Sequence, residues 1–275
     1  MIVGIDKDGY LKFRPIGGVD PRVLVAKSVV VGSKKTLGVI GSKPIHLQRP
    51  EEREKAFTVQ EMVIDIGAKS KEEAEKLVKL GEIAYFTTAY EELGANKVKA
   101  KALDDRVGCA LAIRLLQEKV SFPLIAAFTV QEEVGLRGAG VAAYQIEPDI
   151  ALVLEGTTAS DVPGTDEHKQ ATALGQGPAI TVMDRSVIPH PQLVQELLAL
   201  AAEKGIPVQV RRSTAGGTDA GQIQLSKAGV KVAVISVPCR YIHSPAAIMC
   251  KDDFEGAYQL VRHYLARLEE RAGLS

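Results

Sequence analysis

The chain has 275 residues, with 34 Lys and Arg against 34 Asp and Glu, 46% hydrophobic and 25% charged residues, and no Trp. Balanced charge argues against nucleic-acid and membrane-surface partners, which call for a basic excess or stripe. No stretch reaches the roughly 18 apolar residues of a membrane span, and the start Met1-Ile2-Val3-Gly4-Ile5-Asp6 lacks the basic flank and apolar run of a signal peptide. A cytoplasmic protein is expected, with length for one large and one small domain. Cys109, Cys239 and Cys250 form no C-x-x-C pair and read as reduced packing residues.

Residues 1–93 read as a β-rich domain, with strands at 10–13, 23–31, 37–40 and 63–66. One helix interrupts them: Ser70 and Glu73 are spaced as a capping box, Leu77 and Leu80 lie on its apolar side, and Gly81 is placed to end it. The charged run 51–55 reads as a solvated loop. From residue 94 to 275 helical and strand patterns alternate, the mark of an α/β sheet covered by helices. Helices are expected at 105–119, 192–204, 220–228 and 254–267, and strands at 123–130, 150–154, 179–183, 208–210 and 232–237.

Open α/β sheets place ligands at the carboxyl ends of their strands. Three strand ends here run into acids or a histidine: Thr129-Val130 into Gln131-Glu132-Glu133, Leu154 into Glu155-Gly156, and Val237 into Pro238-Cys239-Arg240-Tyr241-Ile242-His243. Asp104 and Asp105 stand at the start of a helix. Taken alone, Asp104 reads as a helix N-cap, Glu132 and Glu133 as solvated loop acids, and His243 as a structural or surface histidine. Together they offer carboxylates and an imidazole of the kind that bind two divalent ions, with one further carboxylate free to act as a base. The adjacent glutamates suit that division, one on metal and one facing water. His46, His168, His190 and His263 have no comparable setting. Gly216-Gly217-Thr218-Asp219-Ala220-Gly221 lacks the Lys-Ser/Thr ending of a phosphate loop and reads as a tight, polar active-site loop.

Four motifs jointly carry a family resemblance: Ala102-Leu103-Asp104-Asp105-Arg106-Val107-Gly108, Gln131-Glu132-Glu133-Val134-Gly135-Leu136-Arg137-Gly138-Ala139, Gly217-Thr218-Asp219-Ala220 and Tyr241-Ile242-His243-Ser244. Together they resemble the glutamyl or deblocking aminopeptidases, the tetrahedral dinuclear metallopeptidases of family forty-two, often labelled endoglucanases. The resemblance implies an α/β fold with a three-layer zinc-exopeptidase catalytic domain. It also implies an inserted small β-barrel or PDZ-like dimerisation domain, whose segments Gly17-Gly18-Val19-Asp20 and Lys43-Pro44-Ile45-His46 resemble. By carry-over, Asp104 bridges two zinc, cobalt or manganese ions, Glu133 and His243 complete one site, Glu155 serves the other, and Glu132 is the general base. Glu155 stands where many relatives have Asp. Gly217, Thr218 and Asp219 are the expected substrate-binding residues.

Relatives carry a catalytic-domain strand and a His-x-Asp-Glu motif before the segment matching Met1-Ile2-Val3-Gly4, and these 275 residues lack that motif. The expectation is three protein ligands for one metal and two for the other, with impaired binding at the second and a destabilised catalytic sheet. The function that follows is release of amino-terminal residues from short peptides by a homo-oligomer, a dimer or a dodecamer. The alternative is a non-catalytic subunit that keeps fold and assembly. A glycan hydrolase is disfavoured because the chain has no Trp and 5% aromatics with which to wall a sugar site.

Overall fold

A computed structural model describes residues 1–273. The chain divides into two units, Met1–Ala89 with His243–Ala246, and Tyr90–Ile242 with Ala247–Ser275.

The first unit is built on period-two burial. Along β2 (Leu11–Phe13) the two apolar residues are buried and Lys12 is exposed, as alternate side chains of a half-buried strand require. With β1 (Ile2–Ile5), β3 (Ser28–Val31), β4 (Thr36–Gly41), β5 (Val63–Asp65) and β6 (Ala84–Phe86) it forms an antiparallel sheet in the order β1-β2-β5-β4-β3-β6. Ile2, Leu11, Val31, Met62 and Ile64 make its core. The run expected as one strand over 23–31 is divided: Pro21–Val23 forms a 3-10 turn on which Asp20 accepts Arg22 N–H, and pairing starts at Ser28. The charged run includes a four-residue helix, α1 (Pro50–Arg53).

Helix α2 (Lys71–Leu77) has half of the expected capping box: Ser70 Oγ accepts Glu73 N–H at 3.3 Å, but Glu73 Oε2 accepts the N–H of Lys69, at 2.9 Å, one residue before the cap. It ends before Gly81 because Val78, 1% exposed, turns extended to reach the core. Ala74 and Val78 form the inward side, whereas Leu77 and Leu80 are exposed.

In the second unit the long strands β9 (Ile150–Ala159) and β12 (Lys231–Arg240) pair in parallel over their whole length. The other edge of β12 pairs with β10 (Ala179–Ile180) and then β13 (Ala247–Cys250). The sheet continues through β11 (Gln209–Val210) beside β10, and β8 (Lys97–Ala100) and β7 (Glu91–Leu93) beyond β13. Both faces are covered, so β12 is an unbroken apolar run rather than an alternating one. Ala233, Ile235, Val237 and Cys239 face a core shared with α3 (Leu103–Leu115), α5 (Pro191–Lys204) and α7 (Lys251–Ala272). Val232 and Val234 face α6 (Ala220–Ile223), on which α4 (Arg137–Ile146) packs. This is a three-layer α/β/α arrangement, the fold class expected. Among the described residues no helix is long and apolar enough to cross a membrane.

Three expectations are corrected. The apolar run 123–130 joins neither sheet: Leu124 packs on the core, Ile125, Phe128 and Val130 are exposed, and no described strand supplies it a ladder. Strand β9 continues five residues beyond 154, because β12 offers it a partner throughout, so Glu155 lies within the strand and opposite Ser236. Cys109 is exposed, since the buried stripe of α3 runs through Leu103, Val107, Leu111 and Leu115 and misses it; Cys239 and Cys250 are buried as expected.

Asp253, fully buried in the first turn of α7, accepts the N–H groups of Gly175 and Gly177, each at 2.8 Å. Burial raises its pKa, opposed by these two bonds. Replacement Asp253→Ala leaves two inward N–H groups without their acceptor, and at about 1–3 kcal/mol for each it should lower unfolding free energy in urea by about 2–4 kcal/mol; Asp253→Asn, which keeps one acceptor, should cost less.

Candidate metal centre and catalytic loop

Helix α3 begins irregularly. Ala102 is left-handed (φ 50°), Asp104 and Asp105 have non-helical torsions, and their shared peptide bond is cis. The helix becomes regular after Asp105, and the side chain that caps it is that of Asp105, so Asp104 is not the N-cap that it resembles in isolation. Asp105 Oδ1 accepts Gly108 N–H at 3.0 Å and Gly156 N–H at 3.1 Å, fastening the start of α3 to β9. Two glycines permit that approach: a Cβ on Gly108 would meet Leu154 O at 2.0 Å, and one on Gly156 would meet Asp104 Cβ at 3.0 Å. Much of Asp105 is open to solvent, but its carboxyl turns in against these amides. Loss of water there, with the negative charges of Asp104 and Glu132 adding, pushes it up to about 8, against the pull of the two N–H bonds. The sequence shows Asp105 as one of two acids at a helix start and Gly108 and Gly156 as motif glycines, but it does not mark their fastening role.

Glu155 lies in β9, where its Oε1 accepts the Ser236 hydroxyl at 3.1 Å. Burial holds its carboxyl well above the ordinary range, and the charge of Asp104 adds to this. A strongly raised carboxylate beside other carboxylates is a place where a cation would be favourable.

Glu132 and Glu133 ride a tight loop between the run 123–130 and α4. Gln131 and Leu136 are left-handed at φ 61° and 58°. The loop closes through Gly135 N–H and Leu136 N–H on Glu132 O at 3.0 and 2.9 Å, and through Gly138 N–H on Val130 O at 2.9 Å. Gly138 is required there, since a Cβ would come within 2.5 Å of that same oxygen. Glu132 is half-buried and Glu133 exposed.

His243, left-handed at φ 58°, lies on the turn between β12 and β13. Its Nδ1 is 2.6 Å from the carbonyl of Gly18. A carbonyl only accepts, so Nδ1 carries the proton and Nε2 keeps its lone pair in the neutral ring, the orientation that metal-binding histidines adopt.

Asp104, Glu133 and His243 each offer a ligand atom, all within 4.8 Å of one another. Two carboxylate oxygens and an imidazole nitrogen fit a borderline divalent ion. Glu155 is not in that group. Of the glycine-rich loop, Gly217 is exposed while Thr218 and Asp219 are only 6% and 7% exposed.

The profile of the M42 glutamyl aminopeptidase family matches residues 1–260. A putative aminopeptidase of Acetivibrio thermocellus is 39% identical over 263 residues, covering 95% of this chain and 77% of that protein. Among solved structures, the TET aminopeptidase of a marine sediment archaeon of the Thaumarchaeota superposes with a TM-score of 0.94 at 38% identity, covering all of this chain and 80% of that one. The TET1 peptidase of Pyrococcus horikoshii, which assembles into a tetrahedron or a large octahedral shell, superposes at 0.83 with 35% identity, covering 96% and 79%. With a motif set and a fold that agree with these likenesses, the chain belongs to the M42 glutamyl aminopeptidase family and is a metal-dependent aminopeptidase.

Proposed function

We propose that Asp104, Glu133 and His243 hold one divalent ion, that Asp104 is shared with a second ion served by Glu155, and that Glu132 is the general base for removal of amino-terminal residues from short peptides. The observation that carries this reading is the 4.8 Å grouping of two carboxylates with one imidazole, with a second glutamate next in sequence to one of them. The donor set suits zinc, cobalt or manganese. When bound, the ions would polarise the scissile carbonyl and make water easier to deprotonate.

The remaining work falls to the chain. Glu132, half-buried beside Glu133, takes a proton from the attacking water and delivers it to the departing amine. The Gly18 carbonyl holds the His243 ring in place through Nδ1. At the glycine-rich loop, exposed Gly217 presents backbone to the peptide, while Thr218 and Asp219 support it from within. The working location is the cytoplasm.

Assembly is as a homo-oligomer, a dimer or a dodecameric shell, by analogy with TET1. In the first unit, Leu37 on β4 and Tyr85 on β6 both stand opposite Val30 on β3, and they are 71% and 53% exposed. An exposed apolar row of this kind suits a contact between copies.

Hydrolysis of aminoacyl-anilides with added zinc or cobalt tests the chemistry. Glu132→Gln should reduce kcat by about 10²–10⁴-fold, the usual worth of a general base, with bound metal unchanged by elemental analysis. Chelation should abolish turnover and cobalt restore it, and His243→Ala should weaken cobalt binding followed by its visible absorption. Undiminished turnover in Glu132→Gln would remove that residue from its role. For assembly, Leu37→Glu should shift the mass measured by light scattering to smaller species, with the circular dichroism spectrum retained.

A further inference from the structure

The Glu132–Glu133 loop needs precise placement, and among the described residues the run leading to it belongs to no strand of either sheet. Among the described residues the backbone hydrogen bond of 123–130 is the one that Val130 O accepts from Gly138 N–H, and it closes the loop upon itself. A second tie comes from outside the loop. The Thr129 hydroxyl donates to Asp219 Oδ2, joining a residue three positions before Glu132 to the head of α6.

Asp219 is suited to be the fixed end of that tie. It is 7% exposed, and its carbonyl accepts Gln222 N–H and Ile223 N–H at 3.1 and 3.0 Å, so its backbone is committed to α6. The preceding residue is anchored as well: Thr218 N–H donates to Ser186 Oγ at 3.0 Å, and Ser186 Oγ donates to Asp184 Oδ1 at 2.8 Å. Gly221 lies so close to Ser186 that a Cβ would come within 2.5 Å of its side chain. The second carboxylate oxygen, Oδ1, is buried without a hydrogen-bond partner. A buried carboxylate with one oxygen unsatisfied is costly to keep. An apolar residue would fill the same space more cheaply, so the bond to Thr129 is what the carboxylate adds.

We infer that Asp219 is a positioning residue for the aminopeptidase reaction, setting Glu132 and Glu133 through the Thr129 hydroxyl. The inference rests on the roles proposed above for those two glutamates. A carboxyl so nearly buried reaches the reaction through Thr129 and does not itself touch the peptide. The order of contacts is Asp184, Ser186, Thr218 and Asp219, then Thr129 and the loop, so the interior of the sheet domain is linked to the groups that do the chemistry. Misplacement of a catalytic group by about 1 Å is enough to cost about 10²-fold in rate.

The test uses the metal-loaded protein and four variants, Thr129→Val, Thr129→Ser, Asp219→Ala and the double Thr129→Val/Asp219→Ala, beside Glu132→Gln. Thr129→Val and Asp219→Ala should each lower kcat by about 10–100-fold with KM within about threefold. The double variant should be little worse than either single one, as expected of two ends of one bond. Thr129→Ser, which keeps the hydroxyl, should recover most of the rate. Independently of turnover, hydrogen exchange at the amides of residues 131–136 should quicken in Thr129→Val while that of β12 does not change. Multiplying single effects, a normal kcat in Thr129→Val, or equal damage from Thr129→Ser would each overturn the inference. If Asp219→Ala does not fold, Thr129→Val still decides, since it preserves shape at a half-exposed residue. Full activity in Glu132→Gln would instead sink the assignment of the base, and with it the ground for this inference. Loss in Glu132→Gln with a normal Thr129→Val would sink only the positioning role.

Discussion

The parallel pairing of β9 with β12, in register from Ile150 with Lys231 to Ala159 with Arg240, is the constraint on which the site depends. It sets Glu155 against Ser236, and it carries β12 onward to the turn that bears His243. It also supplies Gly156, whose N–H donates to Asp105 Oδ1 and so draws the start of α3 down on the sheet. Helices on both faces then bury the pair: α3, α5 and α7 against the odd-numbered residues of β12, and α6 against the even-numbered ones. A sheet so covered is rigid enough to hold charged groups in a geometry they would not choose for themselves.

Those charges explain the electrostatics. Burial opposes the ionisation of Asp105 and Glu155, and the negative charges of Asp104 and Glu132 add to the effect on both. Nothing in the packing of the domain calls for such a concentration of acids. It costs stability, and a divalent cation is the group that offsets it most directly. The same logic separates the two glutamates of the loop: Glu133 falls within the group of ligand atoms, and Glu132 stands next to it.

Much of this was legible in the chain, for reasons that particular residues make clear. The long apolar run of β12 and the stripe of α3 at every fourth residue from Leu103 to Leu115 state their burial directly, and Ser70 with Glu73 states a helix start. The acid-bearing motifs were visible because carboxylates and a histidine gathered at strand ends are unusual. What could not be read were properties of pairing and approach. The length of β9 beyond Leu154 depends on its partner and not on its own residues. That 123–130 joins neither sheet among the described residues, despite its composition, has the same origin, for a strand is defined by its neighbour. Likewise, Gly108 and Gly156 are ordinary glycines until the close approach of α3 to β9 shows what a Cβ would strike. The Thr129 to Asp219 bond joins residues far apart in sequence with no spacing that announces it.

The proposed metal centre draws two carboxylates and an imidazole from separate elements, with Glu132 next in sequence to one of them. Diffraction from crystals soaked in cobalt, collected on either side of the cobalt absorption edge, tests it most directly. An anomalous peak is expected in contact with carboxylate oxygens of Asp104 and Glu133 and with Nε2 of His243. Cobalt bound elsewhere with those three side chains uncoordinated, or no peak at a concentration that supports turnover, would contradict it.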